Sequence, residues 1–241
     1  MLIKIAHTFF YYLFEFVSTF IISILIMSAA AVGKSKTAVA LFKFWGKLIF
    51  KATGSTIEIQ GLEKLDKNEC YIFCPNHSSA LDIYILSGYM PFDFCWVSKD
   101  AYLKVPVLGG AMRALNFISM DRNNPKKAFD SLKKSIDIIS KKKLSFIIFP
   151  EGTRSLDGNL LPFKRGSLFI SVHTGVKIVP TTIIGAFKIL PKKKFLITRS
   201  NVKVIFGDPI PAPSQNKNDQ IQTLEKIQGV ISEQLQKYKT D

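Results

Sequence analysis

Acidic residues are scarce in this chain: Asp and Glu total 18 against 33 Lys and Arg, a formal net charge of +15. So large a basic excess points to an acidic partner, whether nucleic acid, anionic lipid or an acidic carrier protein. No zinc-finger, RNP-like or helix-turn-helix pattern is present, and the N-terminus is very apolar. The balance therefore favours a membrane surface and argues against nucleic acid. Cysteine is sparse as well. Cys70, Cys74 and Cys95 are odd in number and none belongs to a C-x2-C pair. That argues against a disulfide framework or a cysteine-based metal site, and reads as reduced thiols in a cytosol-facing domain. The G-x-S-x-G elbow of serine hydrolases is also missing, which weighs against a nucleophilic serine. Histidine occurs only three times, and one of the three carries the strongest chemical signal.

That residue is His77, in the run Asn76-His77-Ser78-Ser79-Ala80-Leu81-Asp82, directly after the apolar stretch Tyr71–Pro75. An imidazole can take a proton from an alcohol. A carboxylate on its other ring nitrogen fixes the tautomer and stabilises the imidazolium that forms. On a regular helix, residues five apart point about 140° away from each other. The pair therefore requires His77 at a strand-to-helix junction, with Asp82 reaching back from the first helical turn. Ser78 and Ser79 are candidate N-caps for that helix.

A chain of 241 residues can bury one sizeable core, so one catalytic domain with an appendage is expected. The appendage is assigned to residues 1–54 and the catalytic domain to 55–241. Phe16 to Gly33 carries no charge and meets the length threshold for a membrane-spanning helix. Ala29-Ala30-Ala31 resembles a signal-peptidase site, but Glu15 within the broader apolar segment argues against cleavage. In Ser35–Ala52, Lys36, Lys43, Lys47 and Lys51 fall on one helical side, with Leu41, Phe44, Trp45, Leu48 and Ile49 across from them. That pattern predicts an interfacial helix with lysines toward anionic headgroups, the competing reading being a helix packed on the domain. The first helix either spans the bilayer or forms a one-leaflet hairpin with the second. In both cases the charges place the main domain on the cytoplasmic face of the inner membrane.

Beyond residue 55 the pattern is α/β, a mostly parallel sheet flanked by helices. Strands are predicted at Thr56–Gln60, Tyr71–Pro75, Phe94–Ser98 (running to Lys99), Asn116–Met120, Leu144–Phe149 and Lys177–Ile184, with one or two edge strands in Phe195–Phe206. Helices are predicted over Val105–Leu115, from Pro125 onward, over Ser167–Thr174, and over Asp219–Lys239. His77, Arg122, and Glu151 with Arg154 each follow a predicted strand, where open α/β sheets bind ligands.

Four ordered blocks carry a family resemblance. They are Asn76–Asp82; Lys99 through Pro106 and Gly109, then Ile118-Ser119-Met120-Asp121-Arg122; Phe149-Pro150-Glu151-Gly152-Thr153-Arg154-Ser155 with Leu161–Gly166; and Ile178-Val179-Pro180-Thr181-Thr182-Ile183. In these the chain resembles the lysophospholipid and glycerol-phosphate acyltransferases, most closely the bacterial 1-acyl-sn-glycerol-3-phosphate acyltransferases. Met120 stands where the family usually has a smaller aliphatic residue.

The resemblance implies acyl transfer from an acyl thioester (acyl-CoA or acyl-acyl carrier protein) to the sn-2 hydroxyl of lysophosphatidate, giving phosphatidate. His77 is then the general base and Asp82 its orienting carboxylate. Arg122, Arg154 and Lys99 become candidate ligands of the acceptor phosphate. Gly152 and Thr153 offer backbone N–H groups to the same phosphate, Glu151 orients Arg154 or the acceptor, and Pro180 shapes the pocket floor. The chemistry needs no bound cofactor and no metal, because a thioester is already activated. The competing readings are the same chemistry on glycerol 3-phosphate, another lysophospholipid or a lyso-amino-lipid; a lipid hydrolase; or a basic membrane-binding protein without catalysis. The lysine runs Lys141–Lys143 and Lys192–Lys194 read either as a dock for an acidic carrier or as a solvated face.

Overall fold

Strand and helix alternate from residue 56 onward, as the hydrophobic periods require. The computed structural model describes residues 1–120, 130, 131, 133, 136, 137, 141 and 143–238. Its elements are α1 (Leu2–Ala31), α2 (Ser35–Ala52), β1 (Thr56–Gln60), β2 (Ile72–Pro75), α3 (Leu81–Tyr89), β3 (Phe94–Lys99), α4 (Asp100–Leu103), α5 (Leu108–Ala114), β4 (Ile118–Met120), β5 (Ser145–Ile147), α6 (Phe169–Thr174), β6 (Ile178–Ile184), α7 (Ala186–Ile189), β7 (Asn201–Phe206) and α8 (Lys217–Lys237). Arg122 lies outside the described residues. Of the helix predicted from Pro125, residues 130, 131, 133, 136, 137 and 141 are described, all of them helical.

The strands form one sheet in the order β1-β7-β6-β2-β5-β3-β4. Every neighbouring pair is parallel except β6 with β7. Alternation along the strands assigns one set of side chains to each face. Tyr71, Phe73, Ile147 and Val179 pack toward the helical hairpin of α1 and α2 together with α3. Ile72, Cys74, Phe146 and Ile178 pack with Leu168 and Ile170 and with Leu224, Ile227 and Ile231 of α8. Central strands buried on both faces explain why Ile72-Phe73-Cys74 and Ile178-Val179 read as uninterrupted apolar runs. None of the three cysteines is in a disulfide; burial pushes the Cys74 thiol up to about 12, leaving it inert.

Three expectations change. The segment Phe195–Phe206 yields a strand only from Asn201, and that strand is not an edge: β1 pairs with it in parallel and takes the outer place. The strand expected over Leu144–Phe149 is shorter, because after Ile147 the chain leaves the sheet to form the loop at Pro150. Most consequentially, much of the apolar side of α2 packs on the domain, although Phe44 stays exposed. Phe42, Trp45, Ile49 and Phe50 are buried in the main core. The backbones of α2 and α3 meet at Gly46 and Gly88, where a Cβ on Gly46 would lie 2.7 Å from the Gly88 nitrogen. Lys43 pairs with Asp93 at 2.9 Å, and the Lys47 ammonium sits 5.8 Å from the Tyr89 ring centre.

The outward apolar surface belongs to α1. Among the described residues it is the one helix long and apolar enough to cross a membrane, and Phe9, Phe10, Phe16 and Phe20 are exposed along it. Its other side is pinned to the domain. His7 Nε2 lies 3.0 Å from the Ala52 carbonyl, the Ile197 N–H donates to Thr8 Oγ1, and the Tyr12 hydroxyl donates to the Phe195 carbonyl. Further along, the Tyr84 hydroxyl donates to Glu15.

Candidate active site

The site forms where β2 and β5, neighbouring parallel strands, release their chains at the same end of the sheet. After β2, Asn76 acts as a last rung. Its side-chain amide donates to the Ile183 carbonyl at 3.0 Å, and its oxygen accepts from the Ile183 N–H at 2.7 Å. This fixes the next residue, His77, at the strand-to-helix junction that the spacing demands. His77 Nδ1 stands 2.8 Å from Asp82 Oδ2. Because a carboxylate only accepts, Nδ1 carries the proton and Nε2 presents its lone pair. The ring stacks on Phe149, 3.8 Å between centroids and 18° between planes, and Phe149 in turn stacks on Trp96.

Asp82 is fully buried and occupies the first turn of α3. Its Oδ2 also accepts from the backbone N–H groups of Ser78 and Ser79 at 2.8 and 2.9 Å. The cap position itself is Ala80, which has no side-chain capping bond. The carboxylate takes the main capping role, gathering His77 Nδ1 and two backbone N–H groups on Oδ2. Its Oδ1 is buried without a hydrogen-bond partner among the described residues. Ser79 Oγ accepts from the Leu81 N–H at 3.2 Å, a partial form of the expected cap, and donates to the Leu190 carbonyl at 2.9 Å.

The loop after β5 braces this turn from two sides. The His77 N–H donates to Glu151 Oε1 at 2.6 Å, and the Ser155 N–H donates to the His77 carbonyl at 2.9 Å. Glu151 Oε2 accepts from the Leu161 N–H at 3.0 Å. Glu151 thus does not orient Arg154; it ties the base loop to the downstream loop through two backbone donors. Burial pushes its carboxyl up to about 7, opposed by the bonds from His77 and Leu161, and the Asp82 charge raises it further. A folded-state pKa above the ordinary 4.5 means that Glu151 favours folding most below pH 4.5. Its contribution is lost as pH rises toward 7 and is constant above. Glu151→Gln removes this titration, so the stability of the wild type relative to the variant is expected to fall as pH rises from 5 to 8. Denaturant unfolding of both proteins at pH 5 and 8 checks this.

Gly152 has φ +70°, a conformation that favours glycine. A Cβ there would meet the Lys164 side chain at 3.1 Å, so its absence lets the lysine lie along the loop. Thr153 is exposed and Arg154 half-buried. Among the described residues Arg154 forms no ion pair, and Glu151 is occupied elsewhere. Arg154 lines a groove of about 250 Å³ together with Tyr12, Glu15, Tyr84 and Lys193. Pro180 is buried inside β6, in register with Cys74, where it supports the sheet beneath the His77 turn. Lys99 closes β3; its side chain, like Arg122, lies outside the described residues. No group of three or more His, Cys, Asp or Glu suited to holding a metal ion occurs among the described residues.

Two contributors escaped sequence reasoning. Phe149 was visible only as an apolar residue of a motif, and its stacking on His77 needed the strand order. Lys192, read as part of a lysine run, donates to Thr153 Oγ1 at 3.0 Å and to the Arg154 carbonyl at 2.8 Å.

A family model described as Acyltransferase matches residues 56–184, spanning every block above. The chain is 36% identical over 170 residues to a chloroplast 1-acyl-sn-glycerol-3-phosphate acyltransferase of Brassica napus, covering 70% of this chain and 48% of that protein. It is 29% identical over 194 residues to the 1-acyl-sn-glycerol-3-phosphate acyltransferase of Pseudomonas aeruginosa, covering 80% and 74%. The chain thus spans about half the length of the plant relative and most of the bacterial one. The crystal structure of the 1-acyl-sn-glycerophosphate acyltransferase from Thermotoga maritima superposes with a TM-score of 0.86 at 24% identity, covering 100% of this chain and 98% of that one. At that identity the likeness speaks to the fold.

Proposed function

The chain belongs to the acyltransferase family, and on that premise we propose that it acylates the sn-2 hydroxyl of lysophosphatidate, producing phosphatidate, with an acyl thioester as donor. One observation carries the reading: the His77–Asp82 pair is braced on both backbone sides by the loop that presents Arg154. Base and candidate anion-binding side chain are therefore carried on segments hydrogen-bonded to each other. The names of the Brassica and Pseudomonas relatives support the same acceptor.

In the reaction, Nε2 of His77 takes the proton of the acceptor hydroxyl as its oxygen attacks the thioester carbonyl. Asp82, held through Oδ2 by two backbone N–H groups, stabilises the imidazolium. The tetrahedral intermediate collapses by breaking the C–S bond, and the imidazolium returns its proton to the departing thiolate. The balance is one ester and one thiol per thioester. Arg154 holds the acceptor phosphate with a bidentate fork, joined by Arg122, Lys99 and the Thr153 backbone. The Gly152 N–H, expected to share in this, is instead given to the Phe149 carbonyl at 3.0 Å. The test is to cross acyl-CoA and acyl-acyl carrier protein with lysophosphatidate, glycerol 3-phosphate and lysophosphatidylcholine, and identify products by mass. Phosphatidate formed fastest from lysophosphatidate supports the reading; faster acylation of either other acceptor overturns it.

α1 is the element proposed to meet the bilayer, with residues 1–54 as the anchoring segment and the catalytic domain on the cytoplasmic face of the inner membrane. Contacts from His7 to Glu15 hold α1 along the domain, which favours a helix lying in one leaflet over a spanning one. Burying a phenylalanine contributes about 1.5–3 kcal/mol. Replacing Phe9, Phe10, Phe16 and Phe20 with serine should therefore abolish co-sedimentation with liposomes. Replacing Lys43 and Lys47 with glutamate should change membrane binding far less, since both engage the domain. The reverse ranking would return the anchoring role to α2.

A further inference from the structure

The geometry points to Lys192 as a positioning residue for the acceptor phosphate, acting through the Thr153–Arg154 segment; the inference rests on the proposed transfer to a phosphorylated acceptor. The family match ends at residue 184, and Lys192 lies beyond it in a lysine run that by composition reads as a solvated face.

Its surroundings say otherwise. After β6 the chain turns through α7 and comes back across the site. There the Leu190 carbonyl accepts from Ser79 Oγ at 2.9 Å, and Pro191 forms an antiparallel bridge with Ser79. The next residue, Lys192, reaches the other loop, donating to Thr153 Oγ1 at 3.0 Å and to the Arg154 carbonyl at 2.8 Å. Residues 190–192 are thus a strap joined at one end to the turn that carries His77 and at the other to the loop that carries Arg154. Gly152, Thr153 and Arg154 lie outside any helix or strand. Glu151 and Ser155 fix the two ends of this loop. Lys192 holds its middle. Lys192 is half-buried, and its ammonium engages the Thr153–Arg154 segment through both of these hydrogen bonds. Lys193 and Lys194, by contrast, are exposed.

The effect of Lys192 should pass through Arg154, and a double-mutant cycle reads that dependence directly. Acceptor KM and kcat are measured with lysophosphatidate for wild type, Lys192→Met, Lys192→Arg, Arg154→Ala and Lys192→Met/Arg154→Ala. Methionine keeps the apolar stem, and circular dichroism confirms folding of each variant. Lys192→Met should raise acceptor KM about 10-fold with a smaller change in kcat and an unchanged donor KM, the size expected for losing charge-assisted hydrogen bonds. Lys192→Arg should recover part of that loss. In the Arg154→Ala background the same methionine substitution should cost less than about twofold. Equal factors in both backgrounds, or a normal acceptor KM for Lys192→Met, overturn the inference while leaving the acyltransferase reading intact. A folded wild type that acylates no phosphorylated acceptor sinks both.

Discussion

Replacing His77 with alanine is expected to lower acyl transfer to lysophosphatidate on the order of 10²- to 10⁴-fold, the range over which a positioned general base contributes. The fold should survive. The loop that carries His77 is held by groups the substitution does not touch: the Asn76 side chain on Ile183, the Glu151 carboxylate on the backbone N–H, and the Ser155 N–H on the carbonyl. Asp82 keeps its two bonds from Ser78 and Ser79 on Oδ2, so the buried carboxylate is not left without donors. What is lost is the lone pair at Nε2 and one stacking contact on Phe149. Steady-state rates and an unfolding curve on the same preparation check both halves. Near-normal turnover would remove His77 from the chemistry, and an unfolded variant would assign it to structure.

Arg154→Ala is expected to cost about 10- to 100-fold in kcat/KM for lysophosphatidate, since a charge-assisted bond to a phosphate contributes roughly 1.5–3 kcal/mol. The informative comparison is with an acceptor lacking the phosphate. Monoacylglycerol should be a poor acceptor for wild type, and Arg154→Ala should hardly worsen it, because the removed contact was never made. Arg154→Lys keeps the charge and loses the fork, so it too should be impaired with lysophosphatidate. Equal proportional losses with both acceptors would make Arg154 structural. The structure sharpens this test. Arg154 forms no ion pair among the described residues, and Glu151 is bonded to two backbone N–H groups, so the variant breaks no salt bridge to a described residue.

The parts of the site legible in sequence are those whose chemistry is local. His77 and Asp82 are five residues apart, and their joint requirement for a strand-to-helix junction could be checked against the apolar run before them and the helical run after. The layered α/β plan was legible because strands buried on both faces leave no polar positions. What stayed hidden depends on which surface faces which. An amphipathic helix has the same period whether its apolar side meets lipid or protein, and only the close approach of Gly46 to Gly88 assigns α2 to the core. Chain order does not give sheet order, so the strand ending at Phe206 read as an edge although β1 covers it. Local sequence offers Glu151 either Arg154 or the acceptor as partner. The actual partners include a backbone N–H 74 residues away. Lys192 meets Thr153 and Arg154 across 39 and 38 residues, a contact that no local pattern encodes.

The central claim is that one site joins a hydroxyl to an acyl thioester, with His77 as the base and the phosphate as the handle. The most direct measurement follows free thiol and new ester together, with purified protein, acyl-CoA or acyl-acyl carrier protein, and lysophosphatidate added or withheld. The account predicts one thiol released per phosphatidate formed, negligible release without acceptor, and loss of both signals in His77→Ala. Thiol released at the same rate without lysophosphatidate would mark a hydrolase and contradict it.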